Sequence, residues 1–166
     1  MPISKKLIKY LDSNKAKYGL VDHKTVFTAY DKAATLKVKP RLIGKTLVAK
    51  TDTDFVVALI PGNKNLDKNK LKKIVNDWRK KQNLKSIKNL DFISEKIMKN
   101  KFKGIKIGAV PPFGNLWKLQ TFVDRGLLKE KNIFINTGIY EASFKLSPKI
   151  FGKIGGITGN FSQAKK

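Results

Sequence analysis

Gly108-Ala109-Val110-Pro111-Pro112-Phe113-Gly114 sets two adjacent prolines between glycines, and the run Gly44-Lys45-Thr46-Leu47-Val48 lies far upstream of it. Proline fixes φ and removes a backbone donor, whereas glycine admits conformations and close approaches closed to other residues, so the heptad reads as a stiff, exposed loop. A stiff loop can measure a small ligand. Turn statistics alone favour a tight connection between two strands, and other residues must decide between the two readings.

Working outward, Trp117, Leu119, Thr121 and Val123 alternate with polar and aromatic neighbours, which predicts a strand ending at the turn Asp124-Arg125-Gly126. Ile133 to Asn136 and Ala142 to Leu146 predict two more, split by Gly138. Ser147-Pro148 reads as a helix start, with Ser as cap and Pro at the first helical position, and Gly155-Gly156 ends that helix. Upstream, Ile43 to Lys50 and Phe55 to Ile60 form a predicted hairpin around Thr51-Asp52-Thr53-Asp54, closed by Pro61-Gly62-Asn63. Helical spacing predicts helices over residues 3 to 16, 66 to 81 and 90 to 101. Tyr18 to His23 reads as a short strand, and Thr28 with Asp31 resembles a capping box opening a small-residue helix that runs to Lys37. No internal repeat and no dividing linker is visible. The expected organisation is one domain over residues 1–156 and a flexible tail over 157–166.

Composition narrows the chemistry. A chain of 166 residues with 41% hydrophobic side chains can build one substantial core. Zero cysteines exclude disulfides, thiol nucleophiles and thiolate metal sites, and a single histidine, His23, excludes a multi-histidine metal site. No apolar run is long enough to span a membrane, and the first residues lead into an amphipathic pattern, so a soluble cytoplasmic protein is expected. The net charge of +24 points to a polyanionic partner, nucleic acid first. All the basic residues but Arg41, Arg79 and Arg125 are lysine, a bias that AT-rich coding also produces, although coding does not require acids to be scarce. Residues 64 to 106 hold 15 basic and four acidic residues, which marks them either as a phosphate-contacting face or as a solvated helix surface.

Individual motifs say less. Gly44-Lys45-Thr46 is no phosphate-binding loop, because Lys39 stands where the first glycine is needed and a strand follows instead of a helix. What survives is a lysine at the entry to a buried strand, able to hold a phosphate or a developing oxyanion. On spacing alone it is one lysine among many at a strand edge. A lone histidine such as His23 is more often a local hydrogen-bonding residue than a general base. Asp124 before Arg-Gly is ordinary turn chemistry, and Phe113 and Trp117 are better read as core than as base-stacking platforms.

In their order along the chain, His23, Thr28-Ala29, Gly44-Lys45-Thr46-Leu47-Val48, Pro61-Gly62 after an apolar strand, and Gly108 to Gly114 resemble the YbaK/ProX family. These are aminoacyl-tRNA deacylases related to the editing domain inserted in bacterial prolyl-tRNA synthetases, and the ordered match runs from residue 18 to 148. The resemblance implies a single α/β (α+β) domain with a mixed, barrel-like β-sheet flanked by helices. It implies a trans-acting hydrolase with no cofactor, acting on mischarged aminoacyl-tRNA, with prolyl-tRNA synthetase as a candidate partner. Lys45 matches the family's functional lysine, and Gly108 to Pro112 match its G-x-x-x-P loop. Lys45 is then expected at the terminal phosphate or the carbonyl oxygen, with the Gly108 and Ala109 amides at the carbonyl. By the same similarity His23, Thr28, Val110, Pro111, Pro112, Phe113 and Gly114 line the pocket, and Thr137-Gly138 approaches the terminal ribose. The basic segment from Asn76 to Asn89 and the last residues depart from the pattern. A non-catalytic tRNA- or RNA-binding module on the same fold is the alternative.

Overall fold

The strand β3 (Phe55–Pro61) is apolar along its whole length because both of its faces are covered, as a computed structural model describing residues 3–165 shows. Val56, Ala58 and Ile60 point into one core cluster, while Val57 and Leu59 point into others on the opposite side. A strand buried on both faces loses the period-two alternation of a half-exposed one. It pairs antiparallel with β2 (Gly44–Thr51), so that Lys45 faces Ile60 across the ladder. On its other side it pairs parallel with β6 (Gln120–Asp124). With β5 (Leu90–Phe92) outside β2 and β9 (Ile157–Gly159) outside β6, this makes a five-stranded mixed sheet in the order β5-β2-β3-β6-β9.

A second, three-stranded antiparallel sheet runs β1-β8-β7, formed by Tyr18–Asp22, Ala142–Leu146 and Ile133–Asn136 respectively. The two sheets touch where Ile43 forms a parallel bridge with Phe134. A two-stranded ribbon joins β4 (Lys64–Leu66) to β10 (Ser162–Ala164). The fold is thus a single α+β domain with a mixed sheet flanked by helices. Among the described residues its strands lie in three open sheets, not closed into the barrel-like arrangement expected, since no terminal strand of either larger sheet pairs back to the other end.

Helix α1 (Lys5–Ser13) buries Leu7 and Leu11 against the three-stranded sheet. Helix α2 (Ala29–Leu36) sits over Ile43 and Phe134, its Thr28 hydroxyl accepting the Asp31 N–H at 3.1 Å as the capping pattern requires. Helix α3 (Lys68–Lys81) is capped by Asp67 and packs Leu71, Val75 and Trp78 on the other face of the large sheet, leaving its lysines outside. Burying each such aliphatic side chain contributes about 1.5–3 kcal/mol. Among the described residues, no helix is long and apolar enough to cross a membrane.

Four sequence expectations are corrected. The helix over 90 to 101 is instead β5 followed by α4 (Glu95–Lys101). The Asp52 carboxylate accepts the N–H groups of Lys88 and Asn89 at 2.6 and 2.8 Å, which aligns Leu90 with the edge of β2, and the helix begins only after Ser94 caps it. The strand expected from Trp117 starts at Gln120, because Gly114–Trp117 form a tight 3-10 turn that Lys118 ends with φ of 58°. Ser147 does not cap a helix at Pro148; its hydroxyl accepts the Lys149 N–H at 3.3 Å, and α6 (Ile150–Lys153) follows. The segment expected to be a flexible tail forms β9 and β10, with Phe161 fully buried between them.

The agent of that last difference is Asp124. It caps the short helix α5 (Arg125–Leu128) through a 2.9 Å bond from the Gly126 N–H, as a turn aspartate does. Its second carboxylate oxygen accepts the N–H groups of Phe161 and Ser162 at 2.9 and 3.0 Å. One buried carboxylate therefore staples the end of the chain onto the sheet.

Candidate active site

Among the described residues no strand pairs with Gly44 to Val48 on the outer edge of β2, between the Ile43–Phe134 bridge and β5, which pairs only with Ala49, Lys50 and Thr51. The notch so left is a cavity of about 410 Å³. Its walls are Thr28, Tyr30 and Lys32 from the start of α2, Gly44 to Leu47 from β2, and Gly108-Ala109 from the long loop. Asn136 at the end of β7, Ile139 and Tyr140 after it, and Lys165 beyond β10 complete it. Residues from widely separated parts of the chain thus meet around one hollow.

Of the residues expected at a site, Lys45, Gly108, Ala109 and Thr28 lie on this wall. Burial, and then the nearby charge of Lys165, pushes the Lys45 pKa below the ordinary lysine value. The Lys165 ammonium itself lies 4.1 Å from the centre of the Tyr30 ring, a cation–π contact at the cavity mouth. The Thr46 hydroxyl is buried in the same wall with no hydrogen-bond partner among the described residues. Phe27, 65% exposed, stands at the rim and packs edge-on against Tyr140. No carboxylate lines the cavity among the described residues.

The other expected residues fall elsewhere. His23 does not line the cavity: its Nδ1 lies 2.8 Å from the Lys24 carbonyl, which can only accept, so in the neutral ring Nδ1 holds the proton and Nε2 accepts from the Ser143 hydroxyl at 2.9 Å. Both nitrogens are engaged. The heptad loop is not exposed beyond Gly108; residues 109 to 114 are buried. Val110 packs with Val48, Phe102 and Leu119, and Phe113 stacks on Phe151 with ring centroids 5.8 Å apart. Pro111 and Pro112 are buried between them, and Gly114 is required because an added Cβ would lie 2.5 Å from the Leu119 carbonyl oxygen. These residues support the wall from behind. Thr137 is buried with its hydroxyl on the Ala142 carbonyl at 2.9 Å, and Gly138 braces the loop rather than the cavity.

Hydrogen bonds hold the loop in addition to its prolines. Lys106 N–H donates to the Gly138 carbonyl at 3.0 Å, and Gly138 N–H donates to Ala109 at 2.9 Å. Tyr140 donates its hydroxyl to the Ile107 carbonyl at 2.7 Å. Ala109 N–H, expected to face a substrate carbonyl, is already spent on Lys106 at 3.0 Å. Gly108, held at φ of 82°, keeps an N–H with no protein acceptor among the described residues.

Two residues at the centre went unseen in the sequence. Lys32 is only 7% exposed, and its ammonium donates to Asn136 Oδ1 at 2.7 Å. Burial pulls its pKa down from 10.5 to about 8. Asn136 in turn donates Nδ2 to the carbonyls of Gly108 and Val110, each at 3.3 Å. A flipped amide would set donor against donor, so this orientation follows from chemistry. A positional signal existed: Lys32 stands four residues after Thr28 and four before Leu36, on the inward face of α2.

A family model described as the aminoacyl-tRNA editing domain matches residues 23–153. The crystal structure of a hypothetical protein superposes with a TM-score of 0.82 at 22% identity, covering 96% of this chain and 100% of that one. A candidate trans-editing enzyme for prolyl tRNA synthetase superposes with a TM-score of 0.77 at 20% identity, covering 98% and 100% respectively. At these identities the likeness concerns the fold. No curated protein sequence matches significantly.

Proposed function

The chain belongs to the aminoacyl-tRNA editing domain family, and from that premise we propose that it is a trans-acting deacylase of mischarged aminoacyl-tRNA. The observation that carries the reading is the notch beside β2, walled by Lys45, Thr28 and Gly108 and free of carboxylates among the described residues. A cavity of that charge suits a polyanion's end. Its substrate would be a proline tRNA carrying a smaller amino acid such as alanine, cysteine, serine or threonine, and prolyl-tRNA synthetase would be a partner.

An aminoacyl ester is already activated, so its hydrolysis needs a placed water and a stabilised oxyanion more than strong acid or base groups. Water adds to the ester carbonyl carbon and the carbonyl electron pair moves onto oxygen. The tetrahedral intermediate then collapses, expelling the ribose oxygen, which takes up the proton lost by the water. The products are free amino acid and tRNA. Lys45 at the mouth would hold the terminal phosphate, and the free Gly108 N–H would meet the carbonyl oxygen. A size-limited pocket of this kind supplies the discrimination that a synthetase's first site cannot reach by binding small apolar side chains alone.

The test is deacylation across a panel of mischarged tRNAs. Wild-type protein is expected to release amino acid from a mischarged proline tRNA, and Lys45→Ala to lower kcat/KM by about 10²-fold. Absence of turnover on every ester, with salt-sensitive RNA binding that survives Lys45→Ala, overturns the deacylase in favour of a non-catalytic RNA-binding module.

A further inference from the structure

We propose that Lys32 is a second functional lysine of this site, its buried ammonium meeting the carbonyl oxygen of the scissile ester while Lys45 at the mouth holds phosphate. The inference rests on the deacylase reading and divides its electrostatic work between two cations.

Lys32 carries a buried charge that no carboxylate among the described residues offsets. Lys32 lies among Ala33, Ile43 and the cavity wall, and its one protein hydrogen bond among the described residues is the 2.7 Å contact to Asn136 Oδ1. An ammonium has three N–H donors, and a buried cation is costly unless its donors and charge are matched. Among the described residues it forms no ion pair. A lysine that served only packing would be better replaced by an aliphatic residue. Its remaining donors sit beside a cavity that the proposed substrate enters as a polyanion and in which a negative oxygen develops during reaction.

Position separates the two lysines. Lys45 is half-buried and shares the mouth with Lys165 and the exposed ring of Phe27, where a phosphate remains partly hydrated. Lys32 is nearly enclosed, and a charge excluded from water acts on a nascent oxyanion far more strongly than the same charge at a surface. Asn136 links the Lys32 ammonium to the Gly108 carbonyl, so the cation and the free Gly108 N–H belong to one bonded unit. Lysine and backbone amide would then form a two-donor oxyanion site, the amide built by the loop and the ammonium added by α2.

The pH dependence follows the charged form. The other titratable groups facing the cavity are Lys45 from β2, Lys165 from the C-terminal segment, and the phenols of Tyr30 and Tyr140. Charged Lys32 is the active state, so kcat/KM, which follows the free protein, falls relative to an always-charged variant as pH rises through about 8.

The experiment measures kcat and KM for a mischarged aminoacyl-tRNA across pH 6 to 10 with wild type, Lys32→Met, Lys32→Arg and Lys45→Ala. Lys32→Met is expected to lower kcat by about 10²-fold with KM changed by less than about threefold, whereas Lys45→Ala mainly raises KM. The ratio of wild-type to Lys32→Arg kcat/KM should fall through pH 8, a comparison in which the substrate's own α-amino group cancels. Lys32→Met with wild-type kcat overturns the proposal, as does a ratio flat in pH. Should both Lys32 variants fail to fold, the wild-type profile still decides, because kcat/KM with no limb near pH 8 also overturns it. Wild-type protein inert towards every ester would overturn the deacylase reading itself.

Discussion

Asp124→Ala is expected to destabilise the protein by about 3 kcal/mol or more and to raise KM for aminoacyl-tRNA, although Asp124 is no part of the cavity. The carboxylate is 4% exposed and accepts three backbone N–H groups, from Gly126, Phe161 and Ser162. Hydrogen bonds to a charged acceptor are each worth about 1.5–3 kcal/mol, and their loss leaves the buried donors orphaned. Freed from Asp124, β9 and β10 lose the anchor that holds Phe161 in the core and Lys165 at the mouth. Lys45 then loses the neighbouring charge that helps lower its pKa. Urea unfolding reads the first effect and deacylation kinetics the second. Asp124→Asn keeps one acceptor oxygen and should fall between wild type and alanine on both measures.

The second large effect is a rise in stability on the alkaline side of neutrality. Lys32 titrates near 8 in the folded protein against 10.5 for a lysine in the unfolded chain. Below pH 8 both states are protonated and the folded state carries the full burial penalty. Between about 8 and 10.5 the unfolded state binds the extra proton, so stability rises with pH across that window, by about 3 kcal/mol at most. Urea midpoints measured from pH 7 to 10 should show the increase in wild type. Lys32→Met should show a smaller increase, since methionine has no proton to release and only the lowered pKa of Lys45 still contributes. At pH 7 that variant gains from removing the buried charge and loses from leaving Asn136 Oδ1 without its donor, so the pH slope is the decisive reading.

What the sequence disclosed depended on how local the cause was. The hairpin of β2 and β3, the Thr28 cap and the amphipathic α3 are written within a few residues of themselves, and each is found where expected. The resemblance pairs the Gly44–Val48 run with the Gly108–Gly114 loop, and of these Gly44 to Leu47 and Gly108-Ala109 line one cavity. The failures have long-range causes. Leu90 becomes a strand because Asp52, remote in sequence, captures the preceding amides. Residues 157–164 become strands because Asp124 and the edges of β6 and β4 receive them. Lys32 was overlooked because lysine on a helix is ordinarily solvated, and only the arrival of Asn136 from β7 makes burial tolerable. His23 and Pro111 to Gly114 were assigned to the pocket by similarity, but the first is held by Ser143 and the others pack behind the wall.

The notch beside β2 also has a kinetic meaning. Tyr18 in β1 finds its partner at Leu146 in β8, and β3 meets β6 only by a parallel crossover, so much of the topology closes late along the chain. Non-local pairings of this kind delay folding, because loop entropy must be lost before any contact rewards it. The notch draws on α2, β2, the Gly108 loop, β7 and the segment after β10. The proposed ester hydrolysis would therefore accompany the completion of folding rather than a partly ordered stage, whereas the attraction of so basic a chain to polyanions needs no such closure.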